Sequence, residues 1–446
     1  MKVEVAGAGG GKTTKLAEKI IKRYEQNNGE NIYCVSFTNA SADIIVEKLK
    51  RHYHEIPEKI KVSTIHSFLN SELISPYYFL LYKKQFHHSS RINLSHIPRY
   101  KAVHIARLES KGCLHVESFT NKAKYVVCEK SSDKKSVKKN RENICALISS
   151  YMGAIYVDEA QDIDVDFKQI LVKLDSLGID IELIGDPKQD LKGRGRLTEL
   201  IVDYQDDVTY IQECHRCPVE HLALSNQYIS VMEQQFSPEN KGGNLQCFFE
   251  SDLINMEEFI NENSYDLKYI YQKNDMFDTH INTSKNPLFN ELKIIISDHT
   301  KKTIEDISVI KHASKLAYEL ISLVTIDNNT PRAAINKKIP FNSITKAEYA
   351  RLFEALEADT KVSEENKIAV RSIEAVKGLE EEKCLFIVTP EIAPYMLRLK
   401  TDMNKMMASL YVALTRSQKD LDILITRKAE EQFGKEAFET IFNVSI

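Results

Sequence analysis

The sequence predicts an α/β protein built on parallel sheets, and three observations carry this prediction. A short β-prone segment, VEVA, runs into the glycine cluster GAGGG and then into a segment with helical spacing of its apolar residues. Two later apolar runs, which end at Val157 and Gly185, are each followed at once by acidic side chains. Strands that alternate with helices and end in polar residues are typical of parallel sheets, which bind ligands at the carboxyl ends of their strands.

Length and composition narrow the class of protein. The 446 residues have room for two to four structural units, and 43% hydrophobic with 28% charged residues is ordinary for a globular protein. No apolar run reaches the roughly 18 residues that span a bilayer, and the amino terminus lacks the apolar core of a secretory signal. We therefore expect a cytoplasmic protein. A net charge of −4 argues against coating nucleic acid through bulk charge, although local basic grooves remain open. Eight sparse cysteines do not indicate a disulfide framework.

The glycine cluster has the pattern [AG]-x-x-x-x-G-K-[ST] of a phosphate-binding loop. Glycines let backbone N–H groups surround phosphate oxygens, and the start of the following helix adds its positive dipole end. Lys12 is expected to reach the outer phosphates and the Thr13 hydroxyl to bind Mg²⁺. The alternative is a glycine-rich turn that precedes a lysine by chance. The residues expected to bind the nucleotide are Ala6, Gly7, Ala8, Gly9, Gly10, Gly11, Lys12, Thr13 and Thr14.

The segment GAIYVDEAQD places two carboxylates at the end of a predicted strand. Asp158 is expected to hold Mg²⁺ through water, and Glu159 to accept the proton of the attacking water. The alternative is an exposed acidic turn. A third apolar run, IDIELIG, leads to Gln189, whose amide is placed to sense the γ-phosphate. These three segments indicate hydrolysis of ATP or GTP as the reaction class.

The motifs DEAQD and GDPKQ, in this order after the glycine loop, resemble those of superfamily 1 helicases of the UvrD/Rep type. CVSFTNASADIIVEKL resembles motif Ia, STIHSF motif Ib, SIEAVKGLEEEKCLFIV motif V and LYVALTRSQKDLDILI motif VI. The resemblance implies two RecA-like lobes that hold ATP and Mg²⁺ between them and single-stranded or partly duplex DNA across their tops. It also implies translocation with 3′→5′ polarity.

The family layout implies a division of this chain into four parts. These are a RecA-like domain 1A (1–74 and 145–211), a mostly helical insertion 1B (75–144), a RecA-like domain 2A (212–277 and 367–446) and a reduced or absent 2B-like insertion (278–366). The strands predicted for the second lobe are LQCFF (245–249), LKYIY (267–271), CLFIV (384–388) and LDILI (421–425).

The stretch QECHRCPVEH can be interpreted as a metal site or as an arginine site. Zinc normally takes four ligands from paired clusters. The cysteines and histidine of this stretch have no second CxxC elsewhere in the sequence to complete such a site. In the family, this place carries an arginine, which Arg216 matches. Arg416, in ALTRS, matches a second. The resemblance therefore implies that both arginines neutralise charge as the γ-phosphoryl group leaves, and that Glu380 of motif V contacts the nucleotide.

DNA contacts are expected from the motifs Ia and Ib. Thr38, Asn39 and His66 are placed to donate hydrogen bonds to backbone phosphates, although a histidine such as His66 is more commonly a capping or core residue. The lysine-rich stretch 130–143 reads as a solvated loop, which we favour, or as a basic finger that touches DNA.

Several positions depart from the family pattern. His215 stands in place of a tyrosine that stacks on adenine, and Arg194 or Arg196 stands near the aromatic of motif III. The compact layout resembles helicase-like subunits of prokaryotic antiviral defence systems of the Gabija type, which work beside an OLD-family (TOPRIM) nuclease. A phage or plasmid accessory helicase fits nearly as well. The alternative functions are a DNA-end sensor that activates a partner nuclease with little unwinding, and an RNA-directed motor.

Overall fold

The structure, a computed structural model, describes residues 1–26, 29–92, 94, 98–279, 287–302, 306–327, 329–340, 344–360 and 367–443. The chain divides into two compact units. The first comprises Met1–Ser89, Leu108–Thr279 and Ile368–Ile446, and the second comprises Ser90–Arg107 and His280–Lys367.

The described strands are, in chain order, β1 (Lys2–Ala6), β2 (Asn31–Ser36), β3 (Ile60–Thr64), β4 (His88–Ser90), β5 (Cys113–His115), β6 (Met152–Val157), β7 (Asp180–Gly185), β8 (Val208–Ile211), β9 (Asn244–Phe249), β10 (Leu267–Ile270), β11 (Phe277–Asp278), β12 (Ile368–Ala369), β13 (Arg371–Ser372), β14 (Glu381–Val388) and β15 (Ser417–Ile425).

The described α-helices are α1 (Lys12–Gln26), α2 (Asn39–Tyr53), α3 (Ile65–Phe68), α4 (Ser75–Tyr82), α5 (Pro98–Ser110), α6 (Phe119–Val127), α7 (Lys135–Tyr151), α8 (Val165–Ser176), α9 (Arg196–Asp203), α10 (Val219–Ser225), α11 (Met256–Glu262), α12 (Pro287–Thr300), α13 (Ile307–Thr325), α14 (Pro331–Lys338), α15 (Lys346–Thr360), α16 (Ile373–Val376), α17 (Ala393–Met396), α18 (Lys405–Leu414), α19 (Arg427–Phe433) and α20 (Lys435–Asn443).

The first unit contains a six-stranded sheet with the order β3-β2-β6-β7-β1-β8, and its strands pair in parallel. We call this sheet and its helices the first lobe. Strand β6 is a continuous apolar run because helices cover both faces of the sheet, whereas β1 and β7 each carry a glutamate (Glu4 and Glu182) that forms an ion pair with Lys19 of α1. Their parallel registers bring their carboxyl ends to one edge, so the glycine loop after β1 lies beside the acidic residues that follow β6 and β7.

A five-stranded parallel sheet with the order β13-β10-β14-β15-β9 forms the second lobe of the same unit. Its central strands β14 and β15 bury Phe386 and Ile423 in a core that also includes helix α18. The residues from 212 to 243 lead from β8 of the first lobe into β9 and are counted with the second lobe. The fold class predicted from the sequence, two parallel-sheet α/β domains, is therefore confirmed.

The second unit is helical in its described residues. Helices α12, α13, α14 and α15 pack around a core of their own, in which Leu292, Leu320 and Leu356 are buried. An ion pair between Arg107 and Asp298 (2.8 Å) joins α5 to α12 within this unit. Across the described part of the chain, no helix combines the length and apolarity that crossing a bilayer demands.

The loop favoured for 130–143 is wrong over most of its length, because α7 begins at Lys135. One face of this helix is buried through Ile144 and Ile148. Arg141 lies on the same face, 3% exposed, and forms an ion pair with Asp133 (2.7 Å). The lysines occupy the opposite, solvated face, which is why the segment resembles a loop in composition but is an amphipathic helix in structure.

Candidate functional site

The glycine loop connects β1 directly to α1 through a sharp turn. Gly9 (φ +68°) and Gly11 (φ +69°) lie in the left-handed region, where a side chain would be strained. The Lys12 ammonium lies 3.5 Å from the carbonyl oxygen of Ala6 and 3.4 Å from that of Gly7. The loop therefore has the strand–turn–helix context that a phosphate-binding loop requires.

A cavity of about 940 Å³ opens beside this loop and is lined by both lobes. This volume falls at the upper end of the range of small-molecule and cofactor sites. Of the residues expected at the site, the cavity is lined by Gly9, Gly10, Gly11, Lys12, Thr13, Thr14, Thr38, Glu159, Gln189, Arg216, Glu380 and Arg416. Ala6, Gly7, Ala8, Asp158, Asn39 and His66 are not among its lining residues.

Asp158 lies fully buried beneath the cavity and accepts hydrogen bonds from two hydroxyl groups. Thr13 Oγ1 donates to its Oδ2 atom over 3.4 Å, and Ser41 Oγ donates to the same oxygen. Burial and the adjacent charge of Glu159 raise the pKa of Asp158 to about 6. A hydroxyl and two crowded carboxylates are the donor set that a hard cation such as Mg²⁺ prefers, so these residues fit the ion expected from the sequence.

Glu159 lines the cavity, and its backbone adopts a left-handed conformation (φ +55°). Its carboxylate accepts a hydrogen bond from the Gln161 amide, and the other end of that amide accepts one from the Asp186 N–H (3.0 Å). This chain of contacts ties the ends of β6 and β7 together. A strained backbone held by side-chain hydrogen bonds is a feature typical of functional sites.

Gln189 belongs to a buried polar cluster after β7. Its amide donates to Asp186 Oδ2 (2.9 Å), and the Lys188 ammonium, 1% exposed, lies 2.9 Å from Asp186 Oδ1. Burial pushes the pKa of Asp186 upward, but the charges of Lys188 and Lys12 and the hydrogen bonds from Lys188 and Gln189 together outweigh burial, so the pKa is lowered. Gln189 is therefore held in one orientation with its side chain at the cavity wall.

The two arginines line the cavity from the second lobe, and they differ in their partners and in their burial. Arg216 Nε forms an ion pair with Glu380, and its Nη1 donates to Thr415 O (3.3 Å). Arg416 is fully buried, and its hydrogen bonds go to Val412 O (2.9 Å), Leu379 O (3.1 Å) and the Thr415 hydroxyl. Burial and the nearby charge of Arg216 lower the pKa of Arg416 to about 10. A buried cation whose described partners are all uncharged favours an anion in the adjoining cavity.

The cysteine pair beside Arg216 serves the packing of the turn. Cys214 and Cys217 are fully buried, and Cys214 Sγ accepts a hydrogen bond from Cys217 N (3.3 Å). His221 Nε2 lies 2.9 Å from Asn244 O, so the histidine ring is hydrogen-bonded to the first residue of β9. Within the described residues, no three His, Cys, Asp or Glu side chains are arranged to hold a metal ion.

The residues expected to contact DNA follow two neighbouring strands, β2 and β3, whose last residues Ser36 and Thr64 pair in register. The Thr38 hydroxyl caps α2 by accepting from Ser41 N (3.1 Å), and Thr38 also lines the cavity. Asn39 is exposed in the first turn of the same helix. The His66 ring lies edge-on to Phe119, with 5.5 Å between the ring centroids.

Sequence reasoning missed several residues that join the two lobes. Lys377 forms an ion pair with Asp162 (2.7 Å) across the cavity, and both residues line it. Tyr411 and Gln235 form hydrogen bonds to Ala8 of the glycine loop (3.1 and 3.0 Å). Asp162 and Lys377 stand inside recognised motifs and could have been proposed from them. Gln235 lies in no motif, and nothing in its local sequence signals its role.

Comparisons with known proteins agree with the geometry of the first lobe. Residues 2–193 match the family model described as an AAA domain. No curated protein sequence matches the chain. Among solved structures, the PRRSV helicase is similar at 9% identity and a TM-score of 0.33, over 97% of this chain and 53% of that one. The chain thus spans about half the length of the helicase that it matches. The match to an AAA domain over residues 2–193 includes the glycine loop and the strands β1, β6 and β7.

Proposed function

We propose that this protein is a nucleic-acid-dependent ATPase of the UvrD/Rep type, which hydrolyses ATP between its two lobes and moves along single-stranded DNA. The proposal rests on the cavity, because its two walls come from different lobes and carry different functional groups. The glycine loop, Lys12 and Glu159 come from the first lobe, whereas Arg216 and Arg416 come from the second. Cations from two lobes on either side of a phosphate-loop cavity suit the charge that develops during phosphoryl transfer.

Each residue has a role that follows from its position. Lys12 and the loop amides hold the phosphates, and Glu159 accepts the proton of the attacking water. Thr13 and Asp158 would hold Mg²⁺, which supplies charge neutralisation at the phosphates when bound. Gln189 orients groups at the γ-phosphate. The residues that stabilise the leaving charge are Arg216, which Glu380 holds in place, and Arg416.

A lysine surface on the first lobe supports nucleic acid as the partner. Asp133, Arg141 and Tyr82 are joined by hydrogen bonds that fix the turn before α7 against the end of α4 (Arg141 Nη2 to the Tyr82 hydroxyl, 2.8 Å). Six lysines around this junction are exposed, and none of them forms an ion pair within the described residues. We define the lysine surface as Lys83, Lys84, Lys130, Lys134, Lys135 and Lys139.

The positive charge of this surface suits the binding of phosphate groups. The chain carries a net charge of −4, so a group of unpaired lysines is a local concentration against the overall balance. Helix α7 begins at Lys135 without a side-chain cap and without an acidic residue in its first turn. Positive charge at the positive end of a helix is unfavourable unless an anion lies nearby. A phosphodiester backbone provides such anions.

The finer parts of the proposal rest on the motif resemblance. It supports 3′→5′ polarity, DNA contacts by Thr38, Asn39 and His66, and the domain divisions 1–74, 75–144 and 212–277 with their continuations. It also supports a cytoplasmic role in antiviral defence beside an OLD-family nuclease.

A second candidate function, a DNA-end sensor with little unwinding, is favoured by motif III. The two arginines near its missing aromatic are engaged elsewhere. Arg194 donates to the Asp162 carbonyl oxygen, and Arg196 forms an ion pair with Glu199. Both guanidinium groups are engaged along their edges within the first lobe, and DLKGRGRLTEL contains no aromatic residue that could add base stacking worth about 1–3 kcal/mol per base.

Steady-state ATP turnover with and without single-stranded DNA tests the proposal. We expect stimulation by DNA, and a loss of at least about 100-fold in Lys12→Ala and Glu159→Gln. Lys22→Ala, an exposed lysine farther along the same helix α1, is the matched control and should keep full turnover. Robust turnover that no nucleic acid alters would contradict the motor. Equal stimulation by RNA would assign the RNA-directed alternative, and turnover without strand displacement would assign the sensor.

The lysine surface has its own test. We expect Lys84→Glu with Lys135→Glu to weaken DNA binding and to reduce its dependence on salt concentration. Glu at position 135 improves the charge at the start of α7, so the variant should remain folded. Lys273→Glu, which changes an exposed lysine of the second lobe, is the control. Equal binding by both variants would remove this surface from the proposal.

A further inference from the structure

Three side-chain and backbone groups close a ring of hydrogen bonds behind the glycine loop. The Ala8 N–H donates to the Tyr411 hydroxyl (3.1 Å), and the Ala8 carbonyl oxygen accepts from Gln235 Nε2 (3.0 Å). The Tyr411 hydroxyl in turn donates to Gln235 Oε1 (2.8 Å). All three residues are buried, and 403 positions of sequence separate Ala8 from Tyr411. The second lobe therefore satisfies both backbone groups of one residue in the loop.

The ring lies on the side of the loop that faces away from the cavity. The cavity is lined by Gly9 through Thr14, whereas Gly7 and Ala8 are not part of its wall. A Cβ atom on Gly7 would lie 2.2–2.5 Å from the amide of Gln235, so glycine is required here by close approach. Within the loop, the Gly10 N–H donates to the Gly7 carbonyl oxygen (3.2 Å), while the back of the loop is held at Ala8 by the other lobe.

Both second-lobe side chains are themselves fixed. The Asn226 side chain forms two hydrogen bonds to the backbone of Gln235, to its carbonyl oxygen (2.7 Å) and from its N–H (2.9 Å). The Lys188 ammonium lies 5.2 Å from the centre of the Tyr411 ring. A donor and an acceptor held in this way act as a rigid template for the loop.

Tyr411 belongs to α18, and Arg416 follows the end of that helix by two residues. Thr415 caps α18 and accepts a hydrogen bond from Arg416 Nη2 (3.1 Å). One helix therefore carries both the hydroxyl that binds the loop and the arginine that lines the cavity. Any shift of α18 along the loop moves Arg416 by the same amount.

We propose that Gln235 and Tyr411 are positioning residues, which set the distance between the phosphate loop and Arg416 by holding the back of the loop at Ala8. This inference rests on the proposed ATPase function, and it names how the two lobes are kept in register for it. Neither side chain touches the nucleotide, so their effect passes through the loop and through α18.

Tyr411→Phe and Gln235→Leu, each in the full chain, test the proposal. A buried N–H without an acceptor is destabilised, so the Tyr411→Phe loop should open more often, and exchange of backbone hydrogens in a peptide covering 6–11 should quicken about tenfold. The turnover number should fall about tenfold. The affinity for ATP should change less than the turnover number, because the cavity-facing amides keep their positions.

Tyr265→Phe is the matched control. Its hydroxyl is also buried in the second lobe and donates to Asp422 of β15 (2.7 Å), which belongs neither to the glycine loop nor to α18. We expect Tyr265→Phe to leave loop exchange and the turnover number near those of the wild type. A merely structural role of Tyr411 would give the same result for both tyrosines and would overturn the proposal.

A double variant tests whether the hydrogen bonds of the ring act as one unit. If the ring acts as a unit, Tyr411→Phe and Gln235→Leu together should lower turnover no more than either alone. Fully additive losses would overturn the ring. Hydrogen exchange needs no turnover, so a protein without ATPase activity would contradict the proposed function alone. Unchanged loop exchange in Tyr411→Phe would contradict the ring alone.

Discussion

Gly9→Ala tests whether the second lobe packs against the glycine loop in solution. A Cβ atom at Gly9 would lie 2.5 Å from Arg216 Cβ and 2.9 Å from Cys214 Sγ, both from the turn after β8. Gly9 also has a φ of +68°, which strains any other residue. Gly178 is the matched control, because its φ is +85° and a Cβ there would meet nothing within 4 Å.

The expected magnitudes follow from these two geometries. Left-handed backbone strain costs about 1–2 kcal/mol for an alanine, and both variants should lose this amount of unfolding free energy. Gly9→Ala should lose a further 1–3 kcal/mol, roughly the cost of overpacking a close contact. The contacts at Arg216 are also displaced, so its turnover should fall at least about tenfold, whereas Gly178→Ala should keep normal turnover.

Urea unfolding followed by far-ultraviolet circular dichroism measures the stability difference, and steady-state turnover measures the second effect. The wild-type protein and both variants are compared without nucleotide, so that ligand binding does not shift the transition. Equal destabilisation by Gly9→Ala and Gly178→Ala would refute the reasoning, because it would show that the turn carrying Arg216 does not touch the loop.

Three further predictions concern the buried cluster and metal binding. Lys188→Met leaves Asp186 buried without its cation and should cost about 3–5 kcal/mol in urea unfolding, whereas Lys192→Met, at a side chain that is 58% exposed, should stay within about 0.5 kcal/mol. Without Lys188, burial raises the pKa of Asp186, so its carboxylate takes up a proton as the pH falls from about 7 to about 5. The loss of unfolding free energy in Lys188→Met should therefore become smaller over this range. A loss that becomes larger would contradict this prediction. A zinc chelator should leave the unfolding midpoint of the wild type unchanged, because His221 is bonded to Asn244 O, and a lowered midpoint would restore the zinc interpretation.

The parts of the site that could be predicted from sequence are those whose chemistry is local. The glycine loop, Asp158 and Glu159 each stand directly after a strand, and the periodicity of the strand is visible in the residues before them. Their convergence follows from the rule that parallel strands present their carboxyl ends at one edge. The two arginines were placed by resemblance, and the structure brings both to the cavity.

The parts that could not be predicted depend on long-range packing. Tyr411 and Gln235 meet Ala8 across 403 and 227 positions of sequence, and neither has a local pattern that requires it. The loop expected at 130–143 was wrong because lysines outnumber the buried residues of α7 in that window. The buried apolar residues of α7 begin only at Ile144, after the end of that window.

The most direct measurement of the central claim is an experimental structure of the protein bound to Mg²⁺, ADP and a tetrahedral or planar mimic of the γ-phosphate. We predict that the guanidinium groups of Arg216 and Arg416 both lie within hydrogen-bonding distance of that mimic, opposite Lys12 and Glu159. A mimic that is held by the first lobe alone, with both guanidinium groups turned away from it, would contradict hydrolysis between the two lobes.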